Sequence, residues 1–134
     1  MLLDNPKGNY RFVRGYGAPF SSGALAHPGF EIVHASFKPL AARMTSMLEK
    51  EFGTIKVVGH TDNQPLGRLN PFKSNYDLSV ARATNVTNIL KIGLSHPERF
   101  KVEGKGADEP LASNSTEQGR AKNRRVEVLV QRTD

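Results

Sequence analysis

Residues 57–90 read VVGHTDNQPLGRLNPFKSNYDLSVARATNVTNIL, and the fold turns on how this stretch is parsed. Val57 and Val58 are apolar and β-branched, which suits a strand covered by helices, and Gly59, His60, Thr61 and Asp62 close it. Gln64 to Ser74 is rich in Pro, Gly and Asn and reads as a long loop. A helix is then expected from about Asn75 to Ile92, capped by Ser74 or Asn75 and closed by Gly93. Its apolar face is Leu78, Ala81, Val86, Ile89 and Leu90, and it carries Arg82 outward. The parse sets a carboxylate at a strand's C-terminal end and a guanidinium on the first turns of the next helix. Two opposite charges should therefore face one loop-lined cavity.

Working outward, Phe37, Leu40, Met44, Met47, Leu48 and nearly Phe52 recur at helical spacing. Ser36 is the expected N-cap, Pro39 fits the first turn, Gly53 is the stop, and the two methionines read as core filler. Ile32 and Val33 can extend this unit. Tyr10 to Tyr16 alternates as a strand, whereas residues 1–9 read as a loose lead-in and Ala18 to Gly29 as a loop. Phe100 to Glu103 alternates as a further strand ended by Gly104 and Gly106. Asp108 to Gln118 is turn-rich, Thr116 to Asn123 suits a short helix, and Val126, Val128 and Val130 define a last strand. The order β-α-β-α-β-β predicts an α/β sandwich with two helices on one face of a mixed sheet. The expected division is an N-terminal extension over 1–36, with a strand and a loop, and the main domain over 37–134.

At 134 residues the chain is of single-domain size, and 37% apolar residues suffice for a core without staples. It has no cysteine, so disulfides and thiolate chemistry are excluded. The net charge of +6 would also suit a nucleic-acid binder. Its lysines and arginines are spread out, however, and even the group Arg120, Lys122, Arg124 and Arg125 has no interleaved aromatics for stacking. No nucleic-acid partner is expected. The four histidines have no metal-ligand spacing, so His60 reads as a strand-end residue and no metal or cofactor is expected. No nucleophile elbow or Gly-rich phosphate loop occurs, and no constellation specifies hydrolysis.

GHTDN, NYDLSVARA, EGKGADEPLASN and GRAKNRRVEV occur in that order across Phe37 to Val130. In these motifs the chain resembles the OmpA C-terminal-like, peptidoglycan-binding family. Its longer loop, QPLGRLNPFKSN, is similar to that of TssL-type subunits of type VI secretion systems and, less closely, to that of flagellar stator MotB proteins. The resemblance implies a non-enzymatic, periplasmic domain that binds the meso-diaminopimelate of the peptidoglycan stem peptide. Asp62 would accept from the ligand's ammonium and Arg82 would clamp its carboxylate, since an arginine fork makes two parallel hydrogen bonds. Thr61, Asn75, Leu78 and Arg124 complete the implied ligand site.

Each assignment has a plainer counterpart in the residues themselves. Asp62 and Arg82 could simply pair with each other, Asn75 could only cap its helix, and Arg124 could pair with Glu127 or another acid. By the resemblance, the partners would be peptidoglycan, other type VI secretion envelope subunits and a second copy of the chain. Neither a signal peptide nor a membrane span is evident, so the chain reads as a soluble piece of a longer, inner-membrane-anchored protein. The competing expectations are an interaction or dimerisation module that has lost wall binding, and a MotB-like stator anchor.

Overall fold

The computed structural model describes residues 2–4, 10–15, 37–68 and 70–131. Strands β1 (Leu2–Asp4) and β2 (Tyr10–Gly15) precede helix α1 (Phe37–Glu49). Strand β3 (Thr54–His60), helix α2 (Asn75–Leu90), a 3-10 turn at Pro97–Arg99 and strand β4 (Phe100–Gly104) follow. Helix α3 (Glu117–Asn123) and strand β5 (Arg125–Gln131) complete the order. The five strands form one sheet, β1-β2-β5-β3-β4, in which β3 and β4 run parallel and every other pair is antiparallel. This is the expected α/β sandwich with a mixed sheet. One difference is β1, which pairs with β2 where a loose lead-in was expected. The expected loop at 18–29, Ile32, Val33 and the Ser36 cap lie outside the described residues.

The parallel β3–β4 pair requires a crossover, and α2 supplies it. The register puts Ile55 opposite Val130 and Val57 opposite Val128, so the apolar residues of the two central strands share the helix-facing side. Ile55, Val57, Val126, Val128 and Val130 pack there against Ala41, Met44 and Leu48 of α1 and Ala83, Val86 and Leu90 of α2. The buried face of α2 is rotated from the expected one. Ser79, Arg82, Ala83 and Thr87 are buried, whereas Ala81 is only half-buried. Thr87 tolerates burial because its hydroxyl donates to the Ala83 carbonyl at 2.8 Å. On α1, Met44 is core, but Met47 is 41% exposed and Phe52, beyond the helix end, is 81% exposed.

Helix α1 ends before Gly53 through a device on another element. The Arg99 guanidinium donates to the carbonyls of Leu48, Glu51 and Gly53 at 2.9, 2.7 and 2.9 Å, capping the open end of the helix. Gly53, at φ 115°, turns the chain into β3.

The feature that positions the site is the seat of α2. Gly59 of β3 and Gly104 of β4 are register partners, and both lie directly beneath the first turns of the helix. A Cβ on Gly59 would collide with the Ser79 carbonyl, and one on Gly104 would crowd the side chains of Ser79 and Val80. Ser79 closes the contact from its own side, since its hydroxyl accepts from the Gly106 N–H at 3.0 Å. Side chains on those strand ends would hold α2 off the sheet and shift Arg82 with it. Gly59→Ala should accordingly destabilise the domain by about 1–3 kcal/mol or more, the range for overpacking a tight interior. Chemical denaturation measures this, and an unchanged midpoint would show that α2 can slide without cost.

Candidate functional site

The C-terminal end of β3, the loop after it, the start of α2 and the start of α3 enclose a cleft of about 350 Å³. Asp62, Gln64, Leu66, Asn70, Asn75, Leu78, Arg82, Glu117, Arg120 and Arg124 line it, with Pro65 and Gly67. Of the six candidate site residues, Asp62, Asn75, Leu78, Arg82 and Arg124 reach one wall or another. Thr61 is not among the lining residues. It is buried, its hydroxyl donates to the Asp62 carbonyl at 2.7 Å, and its N–H donates to the Gly106 carbonyl.

Asp62 lies two residues beyond β3 in a local turn, its Oδ1 accepting the Gln64 N–H at 3.0 Å. Oδ2 accepts from Nη1 of Arg124 at 2.8 Å. The second nitrogen of the same guanidinium, Nη2, donates to Oε1 of Glu117 at 2.9 Å. Arg124 therefore bridges two carboxylates, one from the end of β3 and one from the first turn of α3. The Arg124 and Asp62 side chains are 3% and 9% exposed, so this pair is held away from water, whereas Glu117 is 55% exposed. A buried pair is costly to break from one side, by about 3–5 kcal/mol, because the surviving charge stays buried.

Arg82 was expected to point outward, yet it is 1% exposed. The glycine seat brings this part of α2 down onto the strand end, where Nη1 donates to the His60 carbonyl at 3.4 Å. Arg82 is nonetheless one of the residues that line the cleft. Asn75 is the first residue of α2, and its side chain donates to the Gln64 carbonyl at 3.1 Å, tying the long loop to the helix start. The cap itself is Ser74, whose hydroxyl accepts the Asp77 N–H at 3.1 Å.

The NRRVE segment, residues 123–127, divides into three roles. Asn123 is fully buried; its Oδ1 accepts the N–H groups of Leu111 and Ala112 at 2.7 and 3.0 Å, and its Nδ2 donates to Ala112 O and Asn114 Oδ1 at 3.0 and 2.8 Å. It pins the turn-rich loop in front of α3. Arg124 takes Asp62 and Glu117, and Arg125 donates to Glu127 at 2.7 Å on the opposite face of the sheet. His60 joins that second group: it is 1% exposed, with Nε2 at 3.6 Å from Glu127 Oε2. Among the described residues no group of three or more His, Cys, Asp or Glu is disposed to hold a metal ion.

Gln64, Pro65, Leu66, Gly67 and Asn70 supply the loop lining that the sequence led one to expect, whereas Glu117 and Arg120 are cleft residues that it did not single out. Glu117 had one visible signal, since it follows the Thr116 cap and so begins a helix that leads straight to Arg124.

A model of the OmpA family matches residues 34–124, and the chain belongs to that family. Among its relatives, motility protein B of Bacillus subtilis is 41% identical over 97 residues, which is 69% of this chain and 36% of that protein. Outer membrane protein Omp38 of Acinetobacter baumannii is 38% identical over 92 residues, 67% of this chain and 24% of that protein. The chain thus spans well under half the length of these two curated relatives. In three dimensions it is similar to the cell wall anchor of the type VI secretion system from Pseudomonas aeruginosa, with a TM-score of 0.77 and 31% identity over 98% of this chain and 88% of that one. It also shares the fold of the periplasmic domain of Helicobacter pylori MotB, with a TM-score of 0.80 and 23% identity over 100% of this chain and 89% of that one. Among the described residues no helix is long and apolar enough to cross a membrane.

Asn123→Ala should release the Leu111–Asn114 loop and cost about 1 kcal/mol or more for the hydrogen bonds lost. Hydrogen exchange would show lost protection at the Leu111 and Ala112 amides. Protection unchanged at both would mean that Asn123 does not hold the loop.

Proposed function

We propose that this chain is a peptidoglycan-binding domain that acts in the periplasm and grips the diaminopimelate of the stem peptide without bond chemistry. The observation that carries this reading is a cleft of about 350 Å³ that offers Asp62 and Arg82, of opposite charge, on adjoining elements. A ligand carbon bearing both an ammonium and a carboxylate needs that arrangement. Arg82 is suited to the carboxylate, and Asp62 is suited to the ammonium. Asn75 and Leu78 would shape the wall between them. Arg124 would act by holding the acids in place, its two terminal nitrogens being engaged by Asp62 and Glu117.

The likeness to the Pseudomonas anchor extends over almost the whole chain and supports the role of tethering a type VI secretion membrane complex to the wall. The identity with motility protein B favours a second reading, a stator-like anchor that uses the same cleft. Both are wall anchors and differ only in the machine attached. A single polar contact of this size gives modest affinity, so tethering would rest on several copies acting together.

Co-sedimentation with insoluble peptidoglycan of the diaminopimelate type tests the reading. The intact domain should pellet with the wall, while folded Asp62→Ala and Arg82→Ala should remain in the supernatant. Loss of the Arg82 fork should cost about 2–5 kcal/mol of binding, and Arg82→Lys should not restore it fully. A folded intact domain that stays in the supernatant would contradict wall binding and point to an interaction module.

A further inference from the structure

Asp62 alone does not match all three N–H donors of an ammonium ligand. Each of its oxygens already accepts one bond, from Gln64 N–H and from Arg124, which leaves about two acceptor sites open. The carboxylate that the cleft leaves open is Glu117. Among the described residues its polar contacts all go to Oε1, from Arg124 Nη2 at 2.9 Å and from Arg120 Nε at 4.0 Å. Arg120 Nη1 donates to the Asn114 carbonyl at 2.9 Å.

Geometry points the same way. Asp62, Arg124 and Glu117 form a chain of two carboxylates on one guanidinium, with Arg120 Nε 4.0 Å from Glu117 Oε1. Because the two acids occupy neighbouring nitrogens of one planar fork, a cation at the cleft surface can lie within reach of both. At the other wall Arg82 supplies the opposite sign. Resting on the wall-binding reading above, we propose that Glu117 is the second acceptor for the ligand's ammonium and sets the preference for an amine-bearing third residue in the stem peptide. Arg124 is then a positioning residue that fixes the spacing of the two acids.

The test is calorimetric titration of the intact domain and of Glu117→Gln with two soluble stem peptides. One carries meso-diaminopimelate at its third position. The other carries 2-aminopimelate there, which keeps the distal carboxylate and lacks the distal amine. Glutamine retains an oxygen acceptor for Arg124 at an exposed position, and thermal melting verifies the fold of the variant. The proposal expects Glu117→Gln to weaken the diaminopimelate peptide about five- to tenfold and to leave the aminopimelate peptide within about twofold. Equal weakening of both peptides would show that Glu117 acts only by supporting Arg124, overturning the proposal while leaving wall binding intact. Tighter binding of the diaminopimelate peptide would overturn it as well, because Glu117 would then be occupying the ligand's own place on Arg124. Binding of neither peptide by the intact domain would overturn the wall-binding reading and this assignment together.

Discussion

Helix α2 rests directly on the ends of β3 and β4, and the rest of the site depends on that contact. Gly59 and Gly104 lack the side chains that would hold the helix away, and the Ser79 hydroxyl and Gly106 N–H lock the approach. With the helix this low, Arg82 lies against the His60 carbonyl instead of standing in solvent. Gln64 to Gly67 and Asn70, from the loop ahead of the helix, wall the cleft beside it. A steric constraint at two glycines is in this way converted into the placement of a charge.

Burying charge needs compensation, and the chain arranges it through a short run of residues before β5. Arg124 sits between Asp62 and Glu117, while Arg125 turns to Glu127 and the Glu109 carbonyl across the sheet. Adjacent residues entering a strand point to opposite faces, so two consecutive arginines serve two separate groups. Asn123 adds the loop anchor that holds the start of α3, and with it Glu117, in front of Arg124. Such networks contribute little net stability, since desolvation offsets attraction, but each fixes one geometry and makes removal of a single partner costly. That geometry is what a site for a small zwitterion requires.

Much of this was legible in the sequence. Strand, loop and helix boundaries in the 57–90 stretch follow from β-branched residues, turn residues and the Ser74 cap, and the family match over 34–124 accords with the four motifs. Five of the six candidate site residues line one cleft. What could not be read was the rotation of α2, because periodicity counts apolar residues and cannot anticipate that Arg82 and Thr87 would be buried, each with a hydrogen bond to a carbonyl. Thr61 looked like a wall residue from its place beside Asp62, but alternation along an extended chain turns it inward. The motif resemblance placed Arg124 in the site with Asp62, which lies 62 positions before it, but nothing in the spelling ties Glu117 to either residue. Long-range pairing of this kind is a property of the sheet register.

The most direct test of the central claim is a nuclear magnetic resonance titration of the isotope-labelled domain with a soluble stem peptide containing meso-diaminopimelate. The account predicts shifts confined to the amides around Asp62–Gly67, the first turns of α2 from Asn75 to Arg82, and Glu117 to Arg124. Shifts that map instead to the far face of the sheet or to the end of α1, or no shifts at saturating peptide, would contradict it.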